Sequence, residues 1–198
     1  MLNEQGFDLW ADGYDRSVGL SDEGNTYPFA GYKRVLNAIY NAVLANGCQT
    51  VLDIGFGTGT LTQKLYEHGC TAYGQDFSQR KVKMPKAELY QGDFTKGLVE
   101  TLKQNRYDAI IATYSLHHLT DAEKVVFIEN LRPLLNDGGK IYIGDVMFGN
   151  RVQLEACKAD AGDEWDGDEI YFVVDELQAR FPQMRFEPLS YCSGVLTL

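Results

Sequence analysis

Residues 51–60, Val-Leu-Asp-Ile-Gly-Phe-Gly-Thr-Gly-Thr, restrict the fold more than any other stretch. An apolar strand pattern runs into glycines at 55, 57 and 59, and a helical pattern follows with Leu61 and Leu65 on its buried face. Glycines at alternate positions let the backbone approach a ligand where a Cβ would collide. The amides that open the next helix point toward the same ligand. A turn of this kind belongs at the carboxyl end of the first strand of an open parallel α/β sheet, where such sheets bind ligands. The dinucleotide fingerprint G-x-G-x-x-G is not met, because Thr60 stands in its third glycine position. Asp53 also places a carboxylate at the strand end, a poor neighbour for phosphates and a good one for an ammonium group. The implied ligand is a cationic, phosphate-free nucleoside.

The 198 residues are enough for one well-buried core and short for two, so a single domain is expected. No apolar run reaches membrane-spanning length, and the N-terminal residues lack the basic start and apolar core of a secretion signal, which predicts a cytoplasmic protein. Cys48, Cys70, Cys157 and Cys192 form no C-x-x-C pair and read as reduced structural thiols. The net charge of -10 opposes the backbone of nucleic acid and the anionic face of a membrane. Small-molecule chemistry is what these exclusions leave.

In chain order, Trp10 and Tyr14 lie one helical turn apart in a sparse N-terminal segment. Two readings stand for them, a lid over a ligand or simple packing on the core. Apolar residues from Phe29 to Leu44 recur at helical spacing, and Gly47 supplies a stop. Residues 71–73 make a second strand that leads to Asp76, about 20 residues beyond the glycine turn. There an acid can hold both ribose hydroxyls, the alternative being a helix cap, a role that Ser78 also suits. A short helix at 79–84 ends at Pro85, and strands are expected at 87–90, 107–113 and 140–146. Gly92-Asp93-Phe94 follows the third strand, and Tyr114-Ser115-Leu116-His117-His118 follows the fourth. Adjacent histidines face one site poorly, so no metal site is expected from them. Thr120 and Glu123 form a capping box that opens a helix ending at Asp137-Gly138-Gly139. The acids between Asp160 and Glu169 around Trp165 read as a solvated loop, with a cationic partner as the alternative. Asp175 and Gln178 look like a second capping box, and strands at 185–189 and 191–196 form a hairpin.

The run from Asp53 to Gly59, D-x-G-x-G-x-G, resembles the first motif of the class I methyltransferases that use S-adenosylmethionine (SAM). Trp10-Ala11-Asp12-Gly13-Tyr14-Asp15 resembles the W-A-x-x-Y-D opening of small bacterial methyltransferases related to UbiE and YrrT. Gly74-Gln75-Asp76-Phe77-Ser78, Gly92-Asp93-Phe94, Leu116-His117-His118-Leu119 and the L-x-x-G-G-K-I ending at Ile141 are similar to that family's later motifs. The resemblance implies a Rossmann-like α/β sandwich with a mostly parallel seven-stranded sheet closed by a C-terminal antiparallel hairpin. It divides the chain into a lid at 1–26, a cofactor-binding core at 27–146, and an acceptor-side insertion with the closing hairpin at 147–198.

It further implies SAM as cofactor and S-adenosylhomocysteine (SAH) as product. Tyr14, Asp53, Gly55, Gly57, Gly59, Asp76, Phe77, Asp93, Phe94 and Thr113 would hold the cofactor, with Asp93 and Phe94 on the adenine. His118 or Tyr114 would deprotonate a small-molecule acceptor, although a structural role for His118 stands beside that. The chain lacks a D/N-P-P-Y after the fourth strand and a Pro-Cys pair, the marks of DNA methylation. A monomer or homodimer is expected, without metal, nucleic acid or membrane. Two alternatives are a SAM-binding regulator or partner subunit without turnover, and a nucleotide-dependent oxidoreductase.

Overall fold

The computed structural model describes residues 16–77 and 84–198. Five parallel strands form most of its sheet: β1 (Thr50–Ile54), β2 (Thr71–Asp76), β3 (Glu88–Gln91), β4 (Tyr107–Thr113) and β5 (Leu135–Phe148). A two-residue strand, β6 (Phe172–Val173), pairs with the end of β5, and β7 (Arg185–Pro188) and β8 (Ser193–Thr197) close the sheet antiparallel. The order is β3-β2-β1-β4-β5-β8-β7, with β6 off this path. The expected seven strands and closing hairpin are therefore present, and β6 makes an eighth.

Helices cover both faces, which explains why β1 and β4 read as continuous apolar runs rather than alternating ones. Leu52, Ile54, Ile110, Ile141 and Ile143 pack with Ile128 and Leu131 of α5 (Asp121–Leu131). Val51, Ile111 and Tyr142 point the other way, toward Val35, Ile39 and Val43 of α2 (Tyr32–Ala45) and Leu61 and Leu65 of α3 (Thr60–Glu67). At the amino end of the sheet Asp108 Oδ2 accepts from the Gln49 and Thr50 amides at 2.8 and 2.9 Å, which ties β1 to β4.

Several local expectations change. β5 begins at Leu135 rather than Lys140: its pairing jumps from Tyr107–Leu135 to Ala109–Lys140, so residues 136–139 bulge outward with Gly138 at φ +77. Asp137-Gly138-Gly139 is thus an irregularity within the strand. The helix before it stops at Leu131, where Pro133 lies in a 3-10 turn. The Thr120–Glu123 capping box is formed, whereas the Asp175–Gln178 box is not, because α7 (Val174–Gln178) starts before Asp175 and has no side-chain cap. The acidic stretch begins on a helix, α6 (Arg151–Ala161), which includes Asp160. Within residues 1–26 a helix, α1, spans Arg16–Gly24, and a short helix, α4 (Glu100–Lys103), precedes β4. Trp10, Tyr14, Ser78 and residues 79–83 lie outside the described residues.

Gly144 of β5 marks the closest approach of α2 to the sheet. A Cβ there would stand 2.4 Å from Val35 Cγ1 and 2.9 Å from Ile39 Cδ1. Gly144→Ala should therefore destabilise the fold by about 1–3 kcal/mol through overpacking, measured as a lower urea midpoint at unchanged slope.

Candidate active site

Where β1 ends, the chain turns through three left-handed glycines, Gly55 (φ +71), Gly57 (φ +53) and Gly59 (φ +74). They do different work. A Cβ on Gly55 would lie 2.5 Å from Ser115 Cβ, so this glycine lets the loop after β4 pack against the turn. A Cβ on Gly57 would meet nothing within 4 Å and would point into open space. Gly59 precedes α3 without a side-chain cap, which leaves the helix start to other partners.

Gly57 also lines a cavity of about 210 Å³ at the carboxyl ends of β1 and β4, together with Asp53, Gly55, Thr113 and Tyr114, walled by Phe29 and Tyr32. Asp53 is 1% exposed. Its Oδ2 accepts from the Thr62 hydroxyl, and Oδ1 has no hydrogen-bond partner. Burial pushes its carboxyl up to about 7, against the Thr62 hydrogen bond and with help from the charge of Asp76. Asp76, at the tip of β2, accepts from the Gly57 amide at 2.8 Å and so shapes the turn.

The remaining sequence candidates are placed differently from one another. Phe77 is 72% exposed. Asp93 caps the 3-10 turn Phe94–Lys96, accepting from Thr95 N at 3.1 Å, and lies 3.1 Å from Lys96 Nζ. The hydrogen bond from Thr95 and then that from Lys96 hold its carboxyl below the usual range. The Phe94 ring is buried against Phe127 and beside Gly55, and neither Asp93 nor Phe94 lines the cavity. Tyr14 lies outside the described residues.

Tyr114 has φ +49, a left-handed conformation that strains a side chain of this size by about 1–3 kcal/mol. Its amide donates to the Gly144 carbonyl at 2.8 Å, and its ring packs on Tyr32 and Phe29 with centroids 4.9 and 5.6 Å away. The buried hydroxyl makes no hydrogen bond of good geometry, and the Ser193 hydroxyl beside it donates to the Ala30 carbonyl at 2.6 Å. Burial, and after it the charge of Asp145, holds this phenol well above its ordinary value, so it stays protonated at neutral pH.

The two histidines separate as adjacent residues must, but His117, not His118, is the buried one. His118 is exposed. His117 Nδ1 lies 2.8 Å from Asp145 Oδ1, and Nε2 lies 3.3 Å from Glu169 Oε1. Asp145 is a single acid inside the apolar strand Ile-Tyr-Ile-Gly-Asp-Val-Met-Phe, the one sequence signal that pointed here. Glu169 was hidden among surface acids, and the helical spacing of Phe29 and Tyr32 concealed their place in the cavity wall.

The sheet order, the glycine turn at its centre and the cavity above that turn define the class I methyltransferase fold. Residues 52–141 match the methyltransferase domain family. An uncharacterized methyltransferase of Geobacillus thermodenitrificans is 38% identical over 194 residues, covering 91% of this chain and 86% of the relative. One from Bacillus cereus is 40% identical over 193 residues, covering 91% and 87%. The chain belongs to the methyltransferase family. Among solved structures, magnesium protoporphyrin IX methyltransferase from Synechocystis with bound SAH superposes with a TM-score of 0.67 at 18% identity, covering 98% of this chain and 94% of that one. A DhpI–SAM–HEP complex gives 0.66 at 16% identity, covering 100% and 99%.

The histidine network has a pH signature. Burial lowers the His117 pKa, but the charge and hydrogen bond of Asp145 and the charge of Glu169 outweigh it and Lys124, leaving His117 above its ordinary value. Stability from such a group is full below the unfolded value of about 6.5 and is lost as pH rises through the folded one. Raising the pH through that window should speed exchange of the 165–171 amides beyond the intrinsic increase. His117→Gln should abolish the excess, as read by hydrogen exchange.

Proposed function

We propose that this chain transfers a methyl group from SAM to a small-molecule acceptor by in-line displacement. The observation that carries the reading is Asp53: a wholly buried carboxylate with one unpartnered oxygen, at a cavity whose floor is the open backbone of Gly57. An uncompensated buried charge is costly, and an ammonium ligand beside it removes the cost. SAM brings both that ammonium and, when bound, an electrophilic sulfonium methyl group.

The chain's own residues then bind and align. Asp53 takes the amino group, the backbone of Gly55, Gly57 and Gly59 allows close approach, and Asp76 faces the ribose while holding the Gly57 amide. Thr113 and Tyr114, which line the cavity, would lie nearest the sulfonium, and the adenine would have to extend beyond the cavity to reach Asp93 and Phe94. Phe29, Tyr32 and Tyr114 exclude water from the transfer site. Alignment and dehydration are the main requirements of such a displacement, which needs no enzyme nucleophile. Exposed His118 has no part in this reading. A small acceptor is in keeping with the acidic charge and with neighbours named as magnesium protoporphyrin IX and plantazolicin methyltransferases. Among the described residues no helix is long and apolar enough to cross a membrane.

Thermal unfolding with SAM, SAH and NAD tests the cofactor. SAM and SAH should each stabilise the protein, by about 2.7 kcal/mol at a hundredfold excess over Kd, and NAD should not. Stabilisation by NAD alone would refute the reading. Incubation of a metabolite extract with methyl-labelled SAM and mass spectrometry should then reveal a labelled small molecule.

Asp53 provides a second test. Because its carboxyl is raised to about 7 in the free protein, pairing with an ammonium should ionise it and release a proton. Calorimetry near pH 7 in buffers of different ionisation enthalpy should detect that release on SAM binding. Asp53→Asn should lose both the proton release and about 1.5–3 kcal/mol of affinity.

A further inference from the structure

The cavity covers the ends of β1 and β4, while β5, next in the sheet, carries buried polar groups at the same level that the cofactor reading does not use. Asp145 is 0% exposed; its Oδ1 accepts from Val146 N at 2.8 Å and contacts His117, and its Oδ2 has no hydrogen-bond partner. On the far side of His117, Glu169 is fixed at both oxygens, Oε1 by His117 Nε2 and Oε2 by the Tyr171 hydroxyl at 2.7 Å. Its side chain is still 24% exposed, so it is the one carboxylate of this pair that a molecule from solution can reach.

The segment that carries it is anchored to the same corner. Ile170 N donates to the His117 carbonyl at 2.8 Å, Lys124 Nζ donates to the Ile170 carbonyl, and Asp166 N donates to the Tyr27 hydroxyl at 3.1 Å. Trp165 stacks on Tyr27 with centroids 5.1 Å apart. Tyr114 joins the two regions, since its ring lines the cofactor cavity and also packs against the cluster that contains Tyr27, Phe148 and Tyr171. A glutamate that served only solubility would need none of these restraints.

We propose that Glu169 meets the methyl acceptor, accepting a hydrogen bond from its nucleophilic O–H or N–H group and then its proton, with His117 and Asp145 as positioning residues. This deepens the proposed methyl transfer and rests on it. As the acceptor atom's lone pair bonds to the methyl carbon, the carbon–sulfur bond breaks and its electron pair stays on sulfur. The acceptor atom becomes more acidic, and its proton passes to Glu169 and then to water at that side chain's exposed edge. The acceptor class follows from charge. The two basic side chains in the network, His117 and Lys124, are already engaged by Asp145, Glu169, Asp121 and the Ile170 carbonyl, which leaves neither to receive an anion. An anionic acceptor would face carboxylates, so a neutral or cationic one is assigned.

The test uses the full chain, methyl-labelled SAM and a total metabolite extract. Glu169→Gln should keep SAM affinity within twofold by calorimetry yet slow labelled-product formation about 100-fold, the scale of a lost general base. Glu169→Asp should recover part of the rate. The rate of the wild-type protein should fall toward acid pH, and this limb should vanish in Glu169→Gln and move in His117→Gln. The groups facing His117 and Glu169 in that profile are Asp145 from β5, His118 with its ring 4.4 Å from that of His117, Lys124 from α5, Tyr171 and Asp166 of the loop, and Tyr27. A wild-type rate and pH profile in Glu169→Gln would overturn the proposal while leaving methyl transfer intact. Parallel loss of SAM binding and activity would make Glu169 scaffold and overturn it too. If Glu169→Gln fails to fold, the wild-type acid limb and the Glu169→Asp rate decide, an absent limb with an undiminished Asp variant being fatal. A labelled product that derives from an anionic acceptor would refute the assigned class. SAM binding without label transfer by wild-type protein would remove the enzymatic reading and this one with it.

Discussion

The closeness of Gly55 to Ser115 is the constraint on which the site depends. The loop after β4 can pack on the end of β1 only because no Cβ stands between them, and the Ser115 hydroxyl then donates to the Ile54 carbonyl at 2.8 Å. On the other side the Gly55 amide donates to the Gln75 carbonyl at 2.8 Å. Neighbouring strands are thereby tied together just beyond their ends, and the next residues are free to form the cavity floor. Any side chain at Gly55 would push β4 and its loop away, displacing Thr113 and Tyr114 from the wall they form.

Around that floor the protein carries features that cost stability. Among the described residues the buried side-chain oxygens that make no hydrogen bond of good geometry belong to Asp53, Tyr114 and Asp145. All three lie at one end of β1, β4 and β5, and one of them sits on a strained backbone. A core optimised only for stability would replace such groups with apolar ones. Their concentration at one corner is the pattern expected of a ligand-binding region rather than of packing alone.

Much of the fold was legible because its signals are local. The glycine turn, the apolar runs of β1 and β4, the helical spacing of α2 and the Thr120–Glu123 cap each act over fewer than about 20 residues. The Leu135–Gly139 irregularity was not legible, since a register shift depends on the partner strand; Asp-Gly-Gly reads equally as a helix stop. The site divided in the same way. Asp53 and Asp76 stand out in the sequence because their positions are fixed relative to the glycine turn, and the structure sets Asp53 at the cavity and Asp76 on the Gly57 amide. The pairing of His117 with Glu169, 52 positions later in the chain, could not, because only the folded sheet brings them together.

The short pairing of β6 with β5 has a consequence for how this chain can vary. The backbone leaves the sheet after Phe148 and returns at Phe172 and Val173, which pair with Met147 and Phe148. The ends of that excursion are therefore one strand spacing apart, roughly 4.8 Å. An excursion with its ends pinned together can lengthen, shorten or change composition at little entropic cost, about 0.6 kcal/mol for each doubling of a flexible loop. Exposed positions within residues 149–168 are thus open to changes of length while the registers of β1, β2 and β4 stay as they are, and the anchored residues Glu169, Ile170 and Tyr171 keep their corner.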